Sequence, residues 1–394
     1  MRRYDLDWLR VIVFALLIFY HVGMFFVPWG FHIKNNVIYE WIIWPMIFLN
    51  QWRLPILFVI SGMGTWFALG KRTGIQFAGE RMKRLFIPLA FGMLFIIPPQ
   101  VYAERMAKGT FYGSYFEFWP SIAFHGVYPE GNLSWHHLWF LPYLLVYSLF
   151  LIPLFLHLKN NPENVLLKKF REWISTSSFK LIWFILPFYF TYTIMMEFFP
   201  VTHNLVNDWF TFVNYLFFFI IGFFLAGAGQ IFWDKVKIYR RLGLLSGMLC
   251  FSIFIWMHEC IEHTVVMHFI RNGFKVINIW IWILTCFGYA SQYLNRESNA
   301  LRYANESVYP FYILHQSVMM IIAWWIMDWS WGFWPKALLM VFGTFAVSWL
   351  MYEYLIRRWS WVRPLFGLKP VYKNRRPSVF SKSSDPPNDQ AQNT

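Results

Sequence analysis

Long apolar runs separated by short stretches rich in charge, Pro and Gly dominate the chain, and each run approaches the roughly 20 residues that a helix needs to cross a bilayer. Residues 8–28, 41–70, 85–101, 138–157, 181–199, 209–229, 242–258, 276–293, 306–327 and 337–356 are the runs. They predict an all-α, polytopic membrane protein with about ten transmembrane helices. The first run is too long for a removable signal peptide and lacks a small-residue cleavage site, so it is expected to stay as an anchor. The second is interrupted by Asn50, Gln51, Trp52, Arg53 and Pro55, which predicts two half-helices with the break buried in protein. After about residue 367 the chain turns polar and ends SKSSDPPNDQAQNT. A membrane domain over 1–366 and a disordered cytoplasmic tail over 367–394 follow. No solenoid or inverted repeat is visible by eye.

Composition strengthens this picture. Of 394 residues, 58% are hydrophobic and 14% charged, with a mean hydropathy of +0.41, whereas a soluble domain carries about 25% charged residues. The 24 Trp, 21 Tyr and 45 Phe suit lipid contacts and headgroup boundaries. The net charge of +14 would fit nucleic acid in a soluble protein; here the position of the cations decides. With ten spans, 26 of the 34 Lys and Arg fall on the side of the termini, and six (Lys34, Arg105, Lys108, Arg271, Lys275, Lys336) on the other. Cations collect in cytoplasmic loops, so both termini are expected in the cytoplasm, and no nucleic-acid partner is expected. Cys250, Cys260 and Cys286 lack metal-type spacing and exclude a disulfide scaffold or zinc ribbon.

Ionisable side chains inside spans are costly and mark function by default. In DLDWLRVIVFALLIFYH, Arg10 and His21 are eleven residues apart, which places them on one helical face about 16 Å apart along the axis. Asp7 lies one turn before Arg10 and can pair with it; Asp5 belongs at the helix entrance. The bland alternatives are an Arg10 that snorkels to headgroups and a His21 that merely bonds across to another helix. His315 is a second imidazole in mid-span, with Tyr312 one turn away. Ser61 in LPILFVISG either lines a cavity or back-bonds within its helix. Arg81 and Arg84, one turn apart in ERMKRLFIP, suit a polyphosphate and equally suit topology signalling. The longest loop, Tyr102 to His137, carries Glu104, Glu117, His125, Tyr128, Glu130, Trp135 and His136 before HLWFLP with Trp139. Aromatic and hydrogen-bonding groups of this kind suit a sugar, with His137, Trp139, Glu130 and Trp135 as candidate contacts; an interfacial aromatic belt explains them as well. HECIEH, His258 to His263, matches no zinc motif, and no metal is expected.

With these residues placed, the sequence resembles the acyltransferase-3 family of membrane acyltransferases, known for an R-x10-H pair on the first helix, here Arg10 and His21. LPILFVISG, ERMKRLFIP and SVYPFYILHQ are similar to the family's apolar run ending in Ser-Gly, its R-x-x-R loop before a Pro, and its late S-x-P-x-Y-x-x-H segment. The four pieces occur in order over nearly the whole chain. YDLDWLR and the lack of an appended extracytoplasmic hydrolase-like domain look most like the branch that transfers succinyl groups to periplasmic glucans. The resemblance implies an inner (plasma) membrane enzyme that moves an acyl group from cytoplasmic acyl-CoA (succinyl-CoA or acetyl-CoA) to a hydroxyl of an extracytoplasmic glycan. His21 would be the base and Arg10 its companion. Ser61, Tyr312 and His315 would support the oxyanion, and Arg81, Arg84 and Arg10 would hold the donor's phosphates. An acyl-His21 or acyl-Ser61 intermediate stays open, as do homo-oligomers and partner proteins of glycan synthesis. The competing class is a proton-coupled exporter of lipid or glycan, for which buried His and Arg would also serve; a scarcity of carboxylates within the spans speaks against it.

Overall fold

A computed structural model describes residues 2–70, 72–161 and 163–371, without the side chains of residues 178 and 179. Among them there are helices and loops and no strand beyond one isolated bridge. In chain order the helices are α1 (Tyr4–Met24), α2 (Ile43–Leu69), α3 (Gly74–Ala107), α4 (Tyr115–Ser121), α5 (His136–Phe150), α6 (Ile152–Asn160), α7 (Val165–Thr176), α8 (Lys180–Phe198), α9 (Trp209–Gly227), α10 (Gln230–Cys260), α11 (Val265–Tyr293), α12 (Asn299–Ile326) and α13 (Phe333–Ile356). α1 packs against α2, α11, α12 and α13, and α12 packs against α1, α3 and α13. The first and twelfth helices therefore meet at the centre of one half of the bundle.

Local chemistry explains the ends that matter for the site. Thr73 and Gln76 form a capping box at the start of α3, with Gln76 N to Thr73 Oγ1 at 3.3 Å and Thr73 N to Gln76 Oε1 at 3.1 Å; it satisfies two otherwise orphaned amides. Two π-turns, Met82–Phe86 and Gly92–Ile96, widen α3, and Arg84 lies within the first. At the far end of α1 the Lys34 ammonium donates to the carbonyls of Met24, at 2.6 Å, and Val27. A cation there meets both the exposed carbonyls and the negative end of the helix dipole.

Among the described residues eight helices are long and apolar enough to cross a membrane, nine if α5 and α6 form one broken span. The tenth expected span is α12; its 28 residues are long enough to cross, and Ser307, Pro310, His315, Gln316 and Ser317 dilute its apolarity. The structure corrects the sequence reading in two places. First, α2 is one continuous helix through Asn50–Pro55, not two halves; neighbouring helices supply the packing that lets a buried Pro be tolerated. Second, the 138–157 run bends by 54° between α5 and α6, where Pro153 removes an amide and crowds the carbonyl four residues back. At the chain's end Gly367 and Leu368 line a cavity and Lys369 O accepts from Arg363 Nε at 2.7 Å; the rest of the expected tail, 372–394, lies outside the described residues.

α2 and α9 approach through small residues. A Cβ on Gly62 would lie 2.0 Å from Phe219 O, and one on Gly222 would lie 2.1 Å from Val59 O. Backbone against backbone cannot yield cheaply, and such contacts carry helix association in lipid. Gly222→Leu is therefore expected to cost about 1–3 kcal/mol, seen as a lower Tm of the purified protein; an unchanged Tm would mean that the helices do not touch here.

Candidate active site

Two imidazoles from distant parts of the chain are joined by a hydrogen bond. His21 Nδ1 lies 2.9 Å from His315 Nε2, with the rings 3° from parallel. The other nitrogen of His315 faces the carbonyls of Tyr312 at 2.7 Å and Phe311 at 3.2 Å. Carbonyls only accept, so Nδ1 of His315 carries a proton. In the neutral pair Nε2 of His315 is then the acceptor, His21 donates from Nδ1, and the lone pair of His21 sits on Nε2. His315 is fully buried whereas His21 is partly exposed. A partly accessible imidazole with its outward nitrogen free to accept is what a general base requires.

A third imidazole joins them from α5. His136 sits at φ +38°, a conformation that L residues seldom adopt, and the turn sends the two adjacent histidines apart. His137 points inward: Nε2 donates to Ile313 O at 3.0 Å, and its ring meets that of His315 edge-on at 5.1 Å. Its Nδ1 is buried without a hydrogen-bond partner. His136 instead packs against His32 and Tyr128, at 4.7 and 4.6 Å. Tyr312 donates its hydroxyl to His137 O at 2.7 Å, so it fastens α12 to α5.

On the face where α1 begins, a cavity of about 350 Å³ opens between α1, α2, α3, α5 and α12. Four guanidiniums, Arg10, Arg72, Arg81 and Arg84, line it against two carboxylates, Glu80 and Glu306. Arg10 is held by Asn305 Oδ1 at 3.2 Å and Asp7 Oδ1 at 3.4 Å. Arg81 donates to Thr65 Oγ1 at 3.1 Å and lies over the Phe77 ring. Arg84 is 3.8 Å from Glu80, and Glu306 pairs with Arg363 at 2.8 Å. A surplus of anchored guanidiniums is a polyanion site by its chemistry. Ser61 lines this cavity and back-bonds to Leu57 O at 2.7 Å; the structure does not bring it to the histidine pair.

The opposite face is closed by a polar cluster that sequence reasoning did not assemble. Glu104, 1% exposed, meets His32 Nδ1 at 2.7 Å and the Tyr128 hydroxyl at 3.0 Å, and pairs with Lys108. Burial and the Glu104 carboxylate push the Tyr128 hydroxyl above its ordinary pKa. Arg105 fixes the loop by donating to Asn132 Oδ1 at 2.8 Å and Gly131 O at 2.7 Å. Phe31 lies between this cluster and the site, its ring 6.4 Å from that of His21.

The sugar-contact candidates separate. Glu130 is exposed in the loop, Trp135 Nε1 donates to His203 O at 2.8 Å, and Trp139 stacks on the His203 ring at 4.1 Å, while His137 is buried beside His315. Asn305, His32 and Lys34 were missed, because nothing in their spacing distinguishes them from loop residues. In the His258–His263 segment, Arg271 donates to Met257 O at 2.7 Å and its guanidinium meets His263.

The chain belongs to the acyltransferase-3 family, since the family model, described as "Acyltransferase domain", matches residues 3–353. It is an acyltransferase and a multi-pass membrane protein. It is similar to "Glucans biosynthesis protein C" of Escherichia coli SMS-3-5, 24% identical, and of Escherichia coli K12, 23% identical. In each case the match covers 94% of this chain and 96% of the relative. No solved structure matches the chain.

His203 gives the site a pH signature. Burial pushes its pKa down to about 4, against the opposing pull of Asp208. An unfolded His binds a proton below about pH 6.5, so between there and about pH 4 the unfolded chain holds the extra proton and stability falls with pH. His203→Gln is expected to flatten the decline of Tm across that window; an unchanged slope would mean that His203 titrates normally.

Proposed function

We propose that the protein carries an acyl group, succinyl or acetyl, from a coenzyme A thioester to a hydroxyl of an extracytoplasmic glucan. It would do so in the inner (plasma) membrane, with both termini and the Arg10 cavity in the cytoplasm. The observation that carries the reading is the polar line along α1: a guanidinium in a cationic cavity at one end, and at the other an imidazole whose tautomer is set by His315. The surplus of Lys and Arg in the loops on the side of the termini supports the orientation, and the name shared by the relatives supports a glucan acceptor.

In this reading the phosphates of the donor meet Arg10, Arg81 and Arg84, and the thin thioester arm extends between α1 and α2 over the roughly 16 Å from Arg10 to His21. The acceptor hydroxyl arrives from the opposite face. Its oxygen forms a bond to the thioester carbon as His21 Nε2 takes the proton. The C–S bond then breaks, the thiolate leaves, and the proton on His21 returns to the sulfur, giving an ester and free coenzyme A. His315 orients His21 and shares the charge that develops on it.

Purified protein supplied with acyl-CoA and a glucan oligosaccharide should release free thiol. His21→Ala should lower that rate by about 100- to 10,000-fold in a protein that still folds, with its Tm lowered only as far as the acceptor left unpaired on His315 requires; full activity in the variant would remove His21 from the chemistry. Replacing Arg81 and Arg84 together with Gln should raise the KM for acyl-CoA about tenfold or more and leave the KM for glucan unchanged. Equal donor affinity in that double variant would leave the two residues as topology signals.

A further inference from the structure

Arg53 is a buried cation that the reaction above does not use. It lies near the middle of α2 and is 1% exposed, and its Nε and Nη1 are sealed from solvent with no hydrogen-bond partner. Among the described residues no carboxylate forms an ion pair with it; its guanidinium lies 3.9 Å over the face of the Tyr20 ring. A desolvated charge without a counter-charge is strongly unfavourable, and a cation retained only for packing would be expected to have found an acceptor.

Its position says what it faces. α1 and α2 pack side by side, and both contribute residues to the cationic cavity: Arg10 and Phe14 from α1, and Gly64, Ile60 and Leu57 from α2. Continuing each stripe inward at helical spacing, the same faces carry Leu17 and then His21, seven residues beyond Phe14, on α1, and Arg53, four residues beyond Leu57, on α2. Tyr20 links the two ends, with its ring 5.8 Å from that of His21 and beneath the Arg53 guanidinium. An acyl arm that enters along the stripes and sets its carbonyl carbon at His21 has Arg53 beside its far end.

We infer that Arg53 is the residue that selects the acyl group, by receiving the free carboxylate of a dicarboxylic acyl chain; the inference rests on the acyl transfer proposed above. In a succinyl group the carboxylate carbon is three C–C bonds from the thioester carbon, about 4 Å when extended, and one side chain, Tyr20, touches both the His21 ring and the Arg53 guanidinium. The donor's phosphates have their own guanidiniums at the cavity mouth, and a glycan is too broad to reach a side chain this buried. An oxyanion on the reacting carbonyl would draw on Arg53 equally for every acyl group, so donor selectivity separates that role from carboxylate binding.

The test uses the full-length protein with a linear glucan oligosaccharide and two donors of equal chain length, succinyl-CoA and the neutral butyryl-CoA. The wild type should prefer succinyl-CoA. Arg53→Met should lower kcat/KM for succinyl-CoA by about 100-fold while retaining turnover of butyryl-CoA, and its Tm should hold or rise because an uncompensated buried charge is gone. Arg53→Lys, which keeps the charge and loses the fork, should preserve part of the preference. Equal loss with both donors, a lower Tm with unchanged selectivity, or a wild type that favours butyryl-CoA each overturns the assignment while acyl transfer stands. A wild type that turns over neither donor overturns the acyl-transfer reading itself, and with it the assignment.

Discussion

The hydrogen bond between His21 Nδ1 and His315 Nε2 is the contact on which the rest of the site depends, because it joins helices nearly 300 residues apart in sequence at their most polar positions. It survives only if both helices are held in depth and in rotation. Lys34 fixes the far end of α1 through the carbonyls of Met24 and Val27. Lys336, fully buried, ties the following loop to α12 by donating to Asn35 Oδ1 at 2.7 Å and Met327 O at 3.1 Å. Tyr312 and Ser317 secure α12 to α5 and α3 through the carbonyls of His137 and Ile96. Except for the Asn35 amide oxygen, the acceptors are backbone carbonyls, and ties of this kind cost most to leave unmade in an apolar surround.

The same centre divides the molecule into two unlike halves. Toward the start of α1 the polar groups are guanidiniums around an open cavity, each steadied by a neutral or acidic neighbour such as Asn305, Thr65 or Glu80. Toward the other end they are a satisfied cluster of His32, Glu104, Tyr128 and Lys108 beneath a loop clasped by Arg105. One half is arranged to accept anionic material and the other to close over the imidazoles. The π-turn at Met82–Phe86 belongs to the first half, since widening the helix there re-aims Arg84 relative to Arg81.

How much of this was legible in the sequence follows from the range of the interactions. Arg10 and His21 share a face because helical period alone puts them there, and no tertiary contact can alter it; the spans were legible for the same reason, as apolar length is a local property. The continuity of α2 through Pro55 was not legible, since composition there argues for a break and only the packed neighbours favour helix. The 54° bend between α5 and α6 left a mark in Pro153 that apolar length outweighed. Partners across helices, Asn305 for Arg10 and His32 for Glu104, left none, because each is one polar residue among many until the fold selects it. Glu130 shows the converse: a loop position chosen for its chemistry stands exposed, while Glu104 at the end of α3 is drawn inside.

Several buried polar atoms have no hydrogen-bond partner among the described residues, including His137 Nδ1, Gln100 Nε2 and Oε1, and Arg53 Nε and Nη1. Folded proteins satisfy nearly all such groups, and places where that rule fails tend to be functional sites. The three residues carry different capacities: His137 Nδ1 is an acceptor, the Gln100 amide is both donor and acceptor, and Arg53 is a cation. A dry packing site would need none of these. Each of these groups is less stable where it is buried than an apolar side chain of the same volume would be, so packing alone does not account for the three.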